Sequence, residues 1–209
     1  MMINISGTEG VGKTLASGII QETLEDMGVK FAKTREPGGT PIAEEIRRLL
    51  KDFMSEETFH PMTELLLFYG ARYQLFKNLI LPELKQGSVI ISDRSYACTF
   101  AYQVRASGVI SEDDFWTVHN LVMKDMPTYD LIFHLFTDTV EEGLERARGR
   151  GELDRIESND IEFFKRADEG YREFFRDNPS VVSINTSTNS PAAVRKIIEK
   201  ELKARVFSK

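Results

Sequence analysis

The sequence predicts an α/β fold, a single domain built on a parallel five-stranded sheet flanked by helices. Five short apolar runs, at Ile3 to Ser6, Val29 to Thr34, Val89 to Ser92, Leu131 to Leu135 and Val181 to Asn185, alternate with helical stretches. That alternation is what right-handed strand–helix–strand crossovers produce. A glycine-rich turn, Gly7-Thr8-Glu9-Gly10-Val11-Gly12-Lys13-Thr14, joins the first run to the first helix. At 209 residues the chain is long enough for one substantial core, and no linker or internal repeat divides it.

The turn is a full match to G-x-x-x-x-G-K-[ST] at the strand-to-helix junction where its chemistry requires it. Glycines let successive N–H groups point inward at phosphate oxygens, and the helix that follows adds its positive N-terminal end. Lys13 then reaches the β- and γ-phosphates and the Thr14 hydroxyl meets Mg²⁺, so the chain is expected to bind a nucleoside triphosphate. From Thr14 to Met27, apolar Leu15, Ile19, Ile20, Leu24 and Met27 recur at helical spacing and stop at Gly28.

Arg35-Glu36-Pro37-Gly38-Gly39-Thr40 follows the second strand, at the carboxyl edge where open α/β sheets bind ligands. Read without context it is equally a tight Pro-Gly turn with a solvated arginine. Thr40-Pro41 and Ser190-Pro191 each pair an N-cap with proline at the first helical position. In the helix expected from Thr63 to Leu81, Phe68 and Arg72 are four apart and share a face, an aromatic plane beside a fork of donors. Alone, the pair reads as core packing. The third strand ends in Asp93-Arg94, where a carboxylate can hold Mg²⁺ and a guanidinium can meet phosphate, or the two can form a structural ion pair.

Thr99, Tyr102 and Gln103 then follow at helical spacing, a hydroxyl, an aromatic wall and an amide on one face. His134, inside the fourth strand, reads as a strand histidine with a satisfied hydrogen bond. The segment 147–160 breaks the pattern with Arg148, Arg150 and Arg155 among acidic residues, and reads as a short mobile lid. Arg146 and Arg150 are four apart, and because Thr8, Glu9, Gly10 and Val11 include no base, the lid is expected to supply the arginine for a transferring phosphoryl group.

Composition narrows the setting. With 33 acidic and 27 basic residues the net charge is −6, which argues against a nucleic-acid-binding surface. One cysteine, Cys98, suits a reducing compartment, and the apolar run around Leu65-Leu66-Leu67-Phe68 is too short to span a membrane. A soluble cytoplasmic protein is expected. The three histidines lack metal-ligand spacing.

Taken together, Gly7 to Thr14, Arg35 to Thr40, Phe68 to Arg72, Asp93-Arg94, Ala101-Tyr102-Gln103 and Arg150-Gly151-Glu152-Leu153-Asp154-Arg155 resemble the thymidylate kinase family, in order and over nearly the whole chain. The resemblance implies the nucleoside monophosphate kinase architecture of the P-loop NTPases, Mg²⁺-assisted transfer of the ATP γ-phosphoryl to dTMP to give dTDP, and a homodimer. It implies that Glu9 lies near the acceptor's sugar and phosphate, and that Arg35 and Arg94 hold that phosphate. Phe68 would stack on thymine, with Arg72, Thr99 and Gln103 at its polar edge and Tyr102 against the deoxyribose. The basic lid with an arginine-free P-loop is similar to the bacterial type. The chain departs from the family pattern at Leu15, often a second Thr; at Ser95, commonly aromatic or histidine; and at Asn185, often Asp.

Two other readings compete. A deoxynucleoside kinase accepts a neutral 5′-hydroxyl and needs a general base there, whereas Arg35 and Arg94 suit an anionic acceptor. A regulatory P-loop ATPase needs a γ-phosphate-sensing switch and a water-orienting glutamine, and the sequence offers no clear counterpart.

Overall fold

The computed structural model describes residues 1–51, 57, 59–148, 155, 156 and 158–206. Five strands, β1 (Met2–Ser6), β2 (Phe31–Arg35), β3 (Val89–Asp93), β4 (Leu131–Phe136) and β5 (Val181–Asn185), form one parallel sheet in the order β2-β3-β1-β4-β5. The register sets Ile5 and Arg35 beside Asp93, Ser6 beside His134, and Phe136 beside Asn185. All five carboxyl ends therefore finish along one edge, and the site is built there.

The strands are apolar on both faces because both faces are covered, as in parallel sheets generally. Side chains alternate along each strand. Ile3, Ile5, Val89, Ile91, Leu131 and Phe133 pack toward α1 (Lys13–Asp26) and α9 (Pro191–Val206). Met2, Ile90 and Ile132 face a second core made by the intervening helices. Those are α3 (Pro61–Leu75), α4 (Leu81–Lys85), α5 (Tyr96–Thr99), α6 (Glu112–Met123), α7 (Val140–Ala147) and α8 (Ile161–Phe174), while α2 (Pro41–Lys51) packs on α3 outside that core.

Helix starts follow local chemistry. Ser111, Thr139, Asp160 and Ser190 each accept a bond from the N–H three residues on, at 3.1, 3.4, 2.8 and 3.3 Å. At α2 the Thr40 hydroxyl is buried and makes no capping bond. Instead Glu44 reaches back to accept from the Gly39 N–H at 2.7 Å, so the carboxylate in the first turn serves that end.

Two stretches depart from the expected regular helices. The helix expected from Thr63 to Leu81 passes into a π-helical turn at Phe76–Ile80, and α5 continues as a π-helix over Phe100–Ala106, where the Ser107 N–H bonds the carbonyl of Tyr102 five residues back. His134 corrects a further expectation. It is buried between β4 and α8, within 5.1 to 5.9 Å of the rings of Phe175, Phe136 and Tyr171, and its Nε2 has no hydrogen-bond partner among the described residues. Aromatic neighbours fill the space a partner would need. Burial, with Arg172 adding to it, pushes its pKa down to about 4, so the ring is neutral at pH 7.

Candidate active site

The glycine-rich loop leaves β1 and enters α1 through Gly12, whose φ of 96° only glycine adopts without strain. Gly10 is fixed by crowding. A Cβ there would lie 1.7 Å from the carbonyl oxygen of Gly143 in α7, and one on Gly143 would lie 2.7 Å from that of Glu9. Lys13 folds over the loop, its ammonium donating to the carbonyls of Gly7, at 3.0 Å, and Thr8, and lying 3.6 Å from Glu9. Burial lowers the Lys13 pKa, with Glu9 opposing. Val11 packs into the core beneath the loop.

Above the loop lies a cavity of about 210 Å³ whose wall includes Glu9, Gly10, Gly12, Lys13, Thr14, Phe68, Asp93, Arg94, Tyr102 and Gln103. Residues that the sequence spreads over nearly a hundred positions thus surround one space. Arg94 has a left-handed backbone, φ 71°, a conformation costing roughly 1 kcal/mol in a non-glycine residue. It is held there because its carbonyl accepts from Asn4 Nδ2 at 2.8 Å and the Ser92 hydroxyl at 2.9 Å. Its guanidinium donates to Glu9 and, at 3.3 Å, to the Cys98 sulfur. Burial alone would raise the Glu9 pKa, but Arg94 and then Lys13 hold its carboxyl well below the usual range. The Tyr102 hydroxyl also reaches Glu9, at 3.5 Å. Asp93 carries a buried Oδ1 with no hydrogen-bond partner among the described residues.

Arg72 and Thr99 are buried and do not reach the cavity wall, although each lies four residues from a wall residue, Phe68 and Gln103 respectively. They are bonded to each other, Arg72 Nη2 donating to Thr99 Oγ1 at 3.0 Å. Gln103 donates to Glu64 at 2.9 Å, and Arg155 donates to the other oxygen of Glu64 at 2.6 Å. Arg155 also bonds the Leu50 carbonyl at 3.1 Å, and Ile156 joins the cavity wall, so this end of the expected lid rests on α2 and α3. Residues 149–154 and 157 lie outside the described residues, and Arg150 with them.

Two expected residues stand elsewhere. Arg35 is 53% exposed, paired with Glu44 at 2.8 Å and absent from the cavity wall. Arg146 lines a smaller hollow of about 170 Å³ on the other side of the loop, with Gly12, Leu15, Thr186, Asn189 and Pro191, and donates to Thr186 and Glu142. The sequence reading missed Arg47, Leu50 and Lys51 of α2, which line the main cavity. The signal was available. Ala43, Arg47 and Leu50 fall on one face of α2, with Ala43 and Leu50 fully buried, so a basic residue sits on an inward stripe. Among the described residues, no three His, Cys, Asp or Glu side chains are grouped to hold a metal, and no helix is long and apolar enough to cross a membrane.

Comparison with known proteins converges on one family. A family model described as thymidylate kinase matches residues 5–198. The chain is 44% identical to the thymidylate kinase of Vibrio vulnificus (strain YJ016) over 185 residues, covering 88% of this chain and 85% of that protein. It is 39% identical to that of Acinetobacter baumannii (strain AYE) over 194 residues, covering 93% and 96%. A crystal structure of thymidylate kinase from Ehrlichia chaffeensis superposes with a TM-score of 0.75 at 28% identity, covering 97% of this chain and 98% of that one.

Proposed function

The chain belongs to the thymidylate kinase family, and from that membership we propose that its cavity transfers the γ-phosphoryl group of ATP to dTMP, giving ADP and dTDP. The observation that carries the reading is the sharing of one cavity by the phosphate loop and by Phe68, Arg94, Tyr102 and Gln103.

The donor side comes first. Loop N–H groups and the α1 N-terminus receive the triphosphate, and Lys13 exchanges the Gly7 and Thr8 carbonyls for phosphate oxygens. The hollow that contains Arg146 lies beyond the start of α1, on the side away from the acceptor, and suits the adenine end of ATP. Asp93 and Thr14 fit Mg²⁺: the ion takes one or two protein ligands and completes its shell with phosphates and water, and Asp93 offers a buried oxygen that has no partner among the described residues. When bound, the ion would offset charge on the phosphates.

On the acceptor side, Phe68 stacks on the base, Gln103 serves its polar edge with Arg72 and Thr99 bonded to each other behind the wall, and Tyr102 packs against the sugar at the position of a 2′-hydroxyl. Arg94 and Arg47, both on the cavity wall, take the acceptor phosphate, a role in which Arg47 is better placed than Arg35. A phosphate monoester has a second pKa near 6, so at pH 7 an unprotonated oxygen is available and no general base is required. That oxygen bonds to the γ-phosphorus as the β–γ bridging bond breaks, and the electron pair leaves on ADP. Arg94, preorganised by Glu9 and Cys98, faces the charge that develops. Arg150 would add a lid contact as the site closes.

We further propose a homodimer that works in the cytoplasm. Exposed Ile42, Met62, Leu66, Tyr73, Trp116 and Leu121 lie on α2, α3 and α6, helices that pack side by side, and a second copy would cover them. The decisive assay measures ADP formation with dTMP, with thymidine and with no acceptor. The proposal requires turnover with dTMP alone, and equal rates without acceptor would overturn it.

A further inference from the structure

Glu64 stands one turn before Phe68 on α3 and holds two groups at once. Its Oε1 accepts from Gln103 Nε2 at 2.9 Å and its Oε2 accepts from Arg155 Nη2 at 2.6 Å. Gln103 lines the cavity, whereas Glu64 and Arg155 do not, and the Glu64 side chain is only 13% exposed. Arg155 is anchored from other directions as well. Its Nε donates to the Leu50 carbonyl at 3.1 Å, its backbone N–H donates to the Lys51 carbonyl at 3.3 Å, and the centre of the Phe59 ring lies 5.1 Å from the guanidinium carbon. The end of α2, the start of α3 and the π-helical stretch after α5 therefore meet at one carboxylate.

An ionised carboxylate only accepts, so Gln103 turns its NH2 group toward Glu64 and keeps its carbonyl oxygen out of that bond. A carboxylate held through one oxygen can swing about its last bond, whereas one held through both is fixed, and Arg155 supplies the second hold. We propose that Arg155, acting through Glu64, is a positioning residue for Gln103, and that acceptor affinity therefore depends on an arginine that does not line the cavity. The inference rests on the reading of Gln103 as an acceptor contact and deepens it by naming what sets the sense of its amide. Without Arg155 the Glu64 charge loses its compensating partner and turns toward water, and the hold on Gln103 goes with it. The effect belongs to acceptor binding and not to the transfer step.

The test is a double-mutant cycle between Arg155 and Gln103, which meet only through Glu64. It uses R155M, Q103A and R155M/Q103A, with E64A beside them, and reads calorimetric dTMP affinity in the absence of ATP together with kcat and KM for both substrates. Q103A is expected to weaken dTMP binding at least about tenfold and R155M about fivefold, with KM for ATP unchanged. E64A, which removes the link itself, should weaken it at least as much as R155M. The double variant should bind dTMP no more than about twofold more weakly than Q103A, because Arg155 then has nothing left to position. Effects of R155M and Q103A that multiply overturn the proposal, as does unchanged dTMP affinity in a folded R155M or E64A protein, or a matching rise in KM for ATP. Should R155M not fold, E64A takes its place in the cycle, and multiplying effects there overturn the proposal. Unchanged dTMP affinity in Q103A instead rejects the acceptor contact on which the inference rests.

Discussion

The two halves of the cavity are built by different means. On the donor side the wall is chiefly the backbone of the phosphate loop, for which the sequence supplies glycines at fixed spacing and one lysine. On the acceptor side the wall is made of side chains from α2, α3, the end of β3 and the α5 segment, several held by a second residue: Arg94 by Glu9 and Cys98, Gln103 by Glu64, and, just behind the wall, Arg72 by Glu36 and Thr99. A backbone cradle recognises any polyphosphate of the right shape. A scaffold of charged side chains can distinguish one nucleotide from another, but it requires a supporting partner for each reading residue, since an unpaired buried charge costs several kcal/mol.

If the halves divide the work in this way, substitutions should separate them. The largest effects belong to the two cations. Lys13→Ala and Arg94→Ala should each retain the fold and lower kcat at least about a hundredfold. Lys13→Ala should leave dTMP binding intact and Arg94→Ala should leave ATP binding intact, both read by calorimetry. Near-normal turnover in a folded Arg94→Ala protein would remove Arg94 from the mechanism.

The arginines around the lid sharpen the boundary. Arg150→Ala should reduce kcat about tenfold with a smaller rise in KM for dTMP, because its contact forms on closure. Arg146→Ala should instead raise KM for ATP, in keeping with its place in the smaller hollow. A reversal of these two patterns in steady-state kinetics would exchange their roles.

A more modest shift is expected at Tyr102, where replacement by Ala should lower the preference for dTMP over its ribonucleotide counterpart about tenfold. Measuring kcat/KM for both acceptors decides this, since equal slowing of the two would reduce Tyr102 to a support for Glu9.

The smallest effect lies outside the cavity. His134 has a folded pKa of about 4, below its ordinary value of 6.5, so between those values the unfolded chain holds more protons than the folded one. Its contribution to stability is full above pH 6.5 and is lost as the pH falls toward 4. The loss should reach about 1 kcal/mol at pH 5.5. His134→Phe should flatten this part of the thermal melting profile between pH 7 and 5, and an unaltered slope would assign the acid sensitivity elsewhere.

The donor half was almost wholly legible in the sequence because its geometry demands particular residues at particular intervals. The sheet was legible for a similar reason: a strand covered on both faces reads as an unbroken apolar run, as Val89-Ile90-Ile91 does. In the acceptor half the sequence named Phe68, Arg94, Tyr102 and Gln103, which line the cavity, but it missed Arg47, expected Arg35, Arg72 and Thr99 at a wall they do not reach, and gave no sign of the supporting partners. Glu36 looks like part of a Pro-Gly turn until the fold sets it against Arg72. Arg35 and Arg47 are both arginines near the same sheet edge, and only the entry of α2 decides that Glu44 takes the first while the second faces inward. His134 failed in the opposite sense. A histidine in a strand suggests a bonded one, and only the packing of α8 reveals that aromatic rings occupy the space around it.

The contact between Gly10 and Gly143 reaches beyond the loop itself. With no side chain on either residue the two backbones touch: a methyl group on Gly10 would strike the carbonyl of Gly143, and one on Gly143 the carbonyl of Glu9. The loop and α7 therefore behave as one piece of hardware. The spacing between the loop and α7 is set by backbone atoms alone, so a residue larger than glycine in α7 would reshape the phosphate loop from outside it.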